Sequence, residues 1–190
     1  MTRIEGWLFP DGRQWVCGQA SGDTLEVAVG TGRNLPHYPD GVRLTGVEFS
    51  PPMLELARRR AAELGVEVDL RLGDAHALEL PAEAFDTVVC VVSLCAIADD
   101  RRALAEMWRV LRPGGRLLLL DHVASDRWWL RLVQAIADLV SVPLHGEHFG
   151  RRPSARLPAA GFAIERVERS KLGMMERVMA RKPSEPVTAG

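Results

Sequence analysis

Between Thr24 and Asp121 the chain alternates short apolar runs with helix-length amphipathic segments, and this alternation restricts the fold more than any other feature. The candidate strands are Thr24 to Val29, Val42 to Val47, Val66 to Leu72, Phe85 to Val92 and Arg116 to Asp121. Strands separated by helices predict an α/β fold, a parallel sheet with right-handed crossovers and helices on both faces. The run Leu25, Val27, Ala28, Val29 fits a strand that is buried on both sides. The helix after the second strand has Ser50 as a cap, Pro51 in its first turn, Leu54, Ala57, Ala61 and Leu64 on one face, and Gly65 behind it. The next helix is predicted from its cap Asp99 through Ala103, Leu104, Met107, Val110 and Leu111, to be stopped by Pro113-Gly114-Gly115. After an apolar stretch from Arg127 to Val140 and the polar loop "HGEHFGRRP", the runs Phe162 to Val167 and Met174 to Ala180 fit an antiparallel hairpin at the sheet edge. Residues 1–182 read as one domain and 183–190 as a frayed tail.

Charge narrows the partners. The 190 residues carry 24 Lys+Arg against 25 Asp+Glu, a formal net charge of -1, so no broad positive field exists to neutralise a phosphate backbone, and nucleic acid is not expected as a partner. Nothing resembles a signal peptide or a membrane span, which makes a cytoplasmic protein the expectation. Cys17, Cys90 and Cys95 match no zinc spacing and read as reduced thiols.

The stretch "LEVAVGTGRNL" joins the first strand to a glycine turn, the arrangement of a nucleotide site. A dinucleotide fingerprint needs a third glycine, but the register from Gly30 and Gly32 places Leu35 there and the register from Ala28 and Gly30 places Arg33. A pyrophosphate ligand is therefore disfavoured. Glu48 closes the second strand, where a carboxylate can accept hydrogen bonds from the ribose hydroxyls of an adenosine. A phosphate-free adenosine ligand with a positive centre suits a turn flanked by Glu26 and Glu48, and S-adenosylmethionine is such a ligand.

The segments "LEVAVGTGRNL", "LTGVEFSPPMLELARRRA", "LGDAHALELPAEAFDTVVCVVSLCAI" and "EMWRVLRPGGRLLLLDHVAS" resemble, in order and spacing, the class I S-adenosylmethionine-dependent methyltransferases. Through "SLCAI" and "DHVAS" the resemblance runs closest to thiol methyltransferase-like proteins and, more distantly, to quinone-biosynthesis and phosphatidylethanolamine methyltransferases. It implies a Rossmann-like seven-stranded sheet with the last strand antiparallel, and the cofactor across the carboxyl ends of the first strands. It also implies that Glu26, Gly30, Thr31, Gly32 and Asn34 line the methionine side, that Glu48 binds the ribose, that Phe49 and Met53 lie near the adenine, that Asp74 and Ala75 meet its edge, and that Val91 closes the methionyl end. Ala28 departs from the family's first glycine and adds a methyl beneath the cofactor.

Methyl transfer from a sulfonium needs alignment first, and a base only when the acceptor must lose a proton. The base candidates are His122, at the end of the fifth strand, which reads equally as a hydrogen-bonded loop residue, and His148, which with His145 flanks Gly146-Glu147 in a loop that reads as a polar lid or acceptor contact. No metal is expected, because the His145-x-x-His148 pair lacks a third separate ligand. Cys95 reads as a small wall residue, His76 as solvent-facing, and His37 as part of a surface turn. Arg58 to Arg60 and Arg101-Arg102 read as surface, whereas Arg151-Arg152 leave room for an anionic acceptor group. Trp7, Trp15, Trp128 and Trp129 suit core packing, with an apolar acceptor or a peripheral membrane contact as the alternative. The expected partner is a small-molecule methyl acceptor, apolar or amphipathic, with a thiol, hydroxyl or amine as acceptor group. A nicotinamide oxidoreductase and a non-catalytic nucleoside-binding protein on the same fold are the rival readings.

Overall fold

The computed structural model describes residues 11–125, 152–170 and 173–184. In them β1 (Asp23–Val27), β2 (Arg43–Glu48), β3 (Val68–Leu72), β4 (Phe85–Val91), β5 (Leu111–His122), β6 (Ala163–Arg169) and β7 (Met175–Arg181) form one seven-stranded sheet. Its order is β3-β2-β1-β4-β5-β7-β6. The first five strands pair in parallel, and β7 pairs antiparallel with both β5 and β6. The hairpin expected at the edge thus places β6 outermost and β7 inside. The helices are α1 (Gly12–Cys17), α2 (Pro51–Leu64), α3 (Asp100–Val110) and the short α4 (Pro153–Arg156).

Strand alternation sorts the core onto the two faces. Val88 and Cys90 of β4 and Leu117 and Leu119 of β5 pack with Ala103, Leu104, Met107 and Val110 of α3. Their neighbours Val89, Val91, Leu118 and Leu120 turn the other way and meet Val16 and Cys17 of α1. On that second face Leu44 of β2 also packs against Ala61 of α2. At about 25 cal/mol per Å² of apolar surface, burying each of these leucines and valines stabilises the fold by roughly 1.5–3 kcal/mol.

Several boundaries differ from the expected ones, each for a local reason. β1 ends at Val27 rather than Val29, because Ala28 takes a left-handed φ of 56° and turns the chain out of the sheet. β3 starts at Val68 rather than Val66, because the N–H groups of Gly65 and Val66 close on Ala62 and Ala61 carbonyls at the end of α2. Ser50 holds the N-cap position of α2, but its side chain makes no capping bond; its N–H donates to Glu48 instead. Asp99 does cap α3, accepting from the Arg102 N–H. Pro113-Gly114-Gly115 does not stop α3. That helix ends at Val110 and passes directly into β5, and the Pro-Gly-Gly segment forms an irregularity between the Phe85–Leu111 and Thr87–Arg116 pairs.

The order of β1 and β4 sets the site. From β1 the chain proceeds outward to β2 and β3, then crosses back to β4 on the other side of β1. A crevice opens at such a reversal, outside the carboxyl ends of the strands. Among the described residues no helix is long and apolar enough to cross a membrane.

Candidate functional site

A cavity of about 780 Å³ lies at this reversal, within the range of small-molecule sites. Ten of the twelve residues expected around a cofactor line it: Ala28, Gly30, Thr31, Asn34, Glu48, Phe49, Met53, Asp74, Ala75 and Val91. Glu26 and Gly32 do not. Gly32, with φ 73°, instead brings the turn against α2, where an added Cβ would stand 3.2 Å from Ala57 Cα and 2.9 Å from a Leu35 methyl. It performs the close helix packing that the sequence denied to position 35.

Glu48 stands at the tip of β2 with 7% of its surface exposed. Its two carboxylate oxygens each accept one backbone N–H at 2.9 Å, from Gly30 in the glycine turn and from Ser50 at the start of α2. These bonds fix the carboxylate at the cavity wall. Each oxygen has a second lone pair that can accept a ligand hydroxyl.

Glu26, three residues into β1, is fully buried behind the wall. Its oxygens accept from Asn34 Nδ2 at 2.6 Å and from the Tyr38 hydroxyl at 2.8 Å. Both donors are neutral, so burial dominates and pushes the carboxyl up to about 7. Burial and the facing Glu26 likewise push the Tyr38 hydroxyl well above its ordinary value. Glu26 reaches the cavity only through Asn34, whose Oδ1 accepts from Arg13 Nη1 at 2.6 Å. Arg13 also lines the cavity, a wall residue supplied by α1 that no sequence signal marks.

On the opposite side Asp74 is half exposed and His76 is not the solvent-facing residue expected. His76 lines the cavity, and its Nδ1 and backbone N–H both donate to Asp74 Oδ1, at 2.6 and 2.9 Å. Its Nε2 accepts from Asp99 N–H at 3.2 Å, and Arg102, exposed at the surface as expected, donates to the His76 carbonyl at 2.9 Å. The backbone bond from His76, helped by its ring, holds Asp74 below the ordinary carboxylate range.

His122 is half-buried at the end of β5 and is not on this wall. It gathers with Cys95 and Asp121, one ligand atom of each lying within 4.8 Å of the others. The buried Asp121 accepts from the N–H groups of Cys95 and His122, at 2.9 and 2.8 Å, and burial raises its carboxyl. Cys95, expected as a small wall residue, is buried and does not line the cavity, and Cys17 and Cys90 are likewise buried and unbridged. Trp15 and Trp108 carry packing roles: Arg177 stacks over Trp15 at 4.3 Å, and Trp108 meets Phe162 edge to face at 5.0 Å. His145, His148, Arg151, Trp7, Trp128, Trp129 and the stretch Arg127 to Val140 lie outside the described residues.

The Methyltransferase domain family matches residues 25–119, which run from within β1 through most of β5 and hold every cavity residue except Arg13. The chain belongs to the S-adenosylmethionine-dependent methyltransferases. It is 42% identical over 115 residues to a phosphatidylethanolamine N-methyltransferase of Cereibacter sphaeroides, a match covering 60% of this chain and 57% of that one. It is 43% identical over 115 residues to a demethylmenaquinone methyltransferase of Thermus thermophilus, covering 59% and 52%. With a human thiol S-methyltransferase it shares 34% over 105 residues, covering 54% and 43%. The match thus spans about half the length of these curated relatives. Among solved structures, an S-adenosylmethionine-dependent methyltransferase of Methanosarcina mazei superposes with TM-score 0.68 at 21% identity, covering 86% of this chain and 93% of that one. The [4+2]-cyclase SpnF superposes with TM-score 0.73 at 23% identity, covering 92% and 80%. These superpositions show the fold alone, and the cyclase illustrates that one fold carries different chemistries.

Proposed function

We propose that this methyltransferase binds S-adenosylmethionine in the 780 Å³ cavity and transfers its methyl group to a small apolar or amphipathic acceptor. The observation that carries the reading is Glu48, held by Gly30 and Ser50 at the tip of β2 with its carboxylate facing the cavity. A carboxylate there repels a phosphate and accepts hydroxyl donors, which favours a nucleoside over a dinucleotide. In this reading Glu48 takes the ribose, Asp74, oriented by His76, takes the adenine amino group, and Phe49 and Met53 lie against the ring.

The bound cofactor supplies an activated methyl carbon. The chain supplies alignment, which is worth about 7–11 kcal/mol in well-oriented reactions. Val91, Val92, Ala96, Ile97 and Ala98 form an apolar side of the cavity, which suits an apolar acceptor and keeps water from the transfer. The names of the relatives point the same way, since phosphatidylethanolamine and demethylmenaquinone are amphipathic or apolar and a thiol is weakly solvated. His122, next to Asp121 at the end of β5, does not line the cavity, so none of the described residues is assigned as a base.

Two measurements test this. Isothermal titration should show S-adenosylmethionine binding, and no heat at millimolar ligand overturns the reading. Incubation of the cofactor with a panel of an alkyl thiol, a phenol and an amine should yield S-adenosylhomocysteine with at least one. Binding without product from any acceptor class points to the non-catalytic binder.

A further inference from the structure

A second group of reactive side chains lies outside the cavity. Cys95, Asp121 and His122 stand where the loop after β4 meets the end of β5, and one ligand atom from each lies within 4.8 Å of the other two. Cys95 and Asp121 are buried and His122 is half-buried. No spacing in the sequence announces the set: Cys95 and Asp121 are 26 positions apart and meet because β4 and β5 pair side by side. Asp121 Oδ2 accepts the Cys95 N–H at 2.9 Å and its Oδ1 accepts the His122 N–H at 2.8 Å, so one carboxylate fixes the backbone of both neighbours. Each of its oxygens keeps a second lone pair. The Cys95 side chain also hydrogen-bonds to Asp121, and a shared cation would take the place of that proton, which passes to water. A thiolate, an imidazole and a carboxylate suit zinc, whereas magnesium and calcium take oxygen ligands alone. Tetrahedral bonds of about 2.0–2.3 Å place ligand atoms about 3.3–3.8 Å apart, a closure of about 1 Å at the widest pair. The thiolate and the carboxylate together balance a divalent charge, so the assembly is neutral and can stay buried.

We propose that Cys95, Asp121 and His122 bind a divalent cation of the zinc class, with the fourth position left to water, and that the ion pins the loop after β4 to the end of β5. That loop includes Ser93, Ala96, Ile97 and Ala98 of the cavity wall. None of the three ligands lines the cavity, so the site stands whether or not the cofactor reading does.

Titrations of the full chain with zinc and with cobalt(II), after stripping with a chelator and under reducing conditions, test this. The unaltered protein should bind a single zinc ion, and its Tm should rise by about 5–10 °C at about a hundred times Kd. Cobalt should give a near-ultraviolet thiolate-to-metal band together with the strong visible bands of a tetrahedral ion. Cys95→Ser should abolish the thiolate band and weaken zinc by at least about tenfold, since even an outer-shell change costs that much. His122→Gln should weaken zinc by at least about tenfold while keeping the band at high cobalt, and it serves if the serine variant folds poorly. No saturable binding to the unaltered chain overturns the proposal. So does a thiolate band that survives Cys95→Ser, which would assign the sulfur to Cys17 or Cys90, and so does a smaller loss of zinc affinity in either variant once folded, which would mark an adventitious ion only. Binding without a rise in Tm overturns the pinning, because the ion would then favour the unfolded thiols equally.

Discussion

The two ends of β1 carry carboxylates treated in opposite ways. Asp23, at the start of the strand, is held by Arg43 and Arg112, whose hydrogen bonds pull its carboxyl down to about 2. Asp86 of β4 joins this cluster, accepting from Asp23 N–H and pairing with Arg112. Three residues along, Glu26 is buried among neutral donors and pushed up to about 7. One end spends its charges on pairing in water, where they cost little and contribute little. The other keeps a carboxyl group buried, with Arg13, the cation linked to it among the described residues, one amide away. Two of the three left-handed non-glycine residues among the described ones, Ala28 and Val92, also line the cavity. The amino end of the sheet is arranged for stability and the carboxyl end for a ligand.

The largest effect that could break this contrast is the pH dependence of Glu26. The folded chain holds that proton to about pH 7, whereas the unfolded carboxyl releases it near 4.5. Between these values the unfolded state binds fewer protons, so stability falls as pH rises from about 4.5 to about 7 and then levels, by on the order of 3 kcal/mol in total. Urea midpoints between about pH 5 and about pH 8 should show this decline, and Glu26→Gln should flatten it; an unchanged slope in the variant would remove the contrast.

Next in size is Glu48→Ala, which removes the proposed ribose contact and frees the Gly30 and Ser50 N–H groups. S-adenosylmethionine binding should weaken by about 1.5–3 kcal/mol in a calorimetric titration. Unchanged affinity would contradict the ribose assignment. A smaller effect, of opposite sign, is expected from Ala28→Gly. Relief of the left-handed alanine should raise stability by about 1 kcal/mol in chemical denaturation, without weakening cofactor binding. No gain would mean that the turn stores no strain. The smallest effect belongs to Asp23→Asn. Because that carboxyl is depressed, its contribution is present above the unfolded value of 3.8 and disappears as pH falls through about 2. At neutral pH the loss should be slight and should shrink further in added salt.

Much of this architecture was legible in the chain because parallel strands buried on both faces read as continuous apolar runs, and α2 is punctuated by Pro51 and Gly65. The misses share a physical cause: each depends on a partner distant in sequence. The first part of β5 was hidden because Pro113-Gly114-Gly115 carries a breaker signal, while its place in the sheet is decided by Gly114 N–H donating to Lys182 and Lys182 N–H donating to Gly115. His76 read as exposed because its partner Asp99 N–H is 23 residues away. The resemblance implies that Glu26 lines the methionine side, but its carboxylate is taken up by Asn34 and Tyr38, which lie 8 and 12 positions on and reach it only in the folded chain. Arg13 lies in a six-residue helix with no motif, and only folding brings it to Asn34, 21 positions on.

The strand order on the far flank has a consequence for how the molecule opens. β6 bonds to nothing in the sheet except β7, while β7 carries the rungs to β5 from Arg116–Arg181 to His122–Met175. The outer ribbon therefore has no second neighbour to hold it, and its amides should exchange with solvent before those of the inner one. Opening starts at that exposed edge, and the inner ribbon must release its rungs to β5 before any fraying advances toward the ligand crevice between β1 and β4.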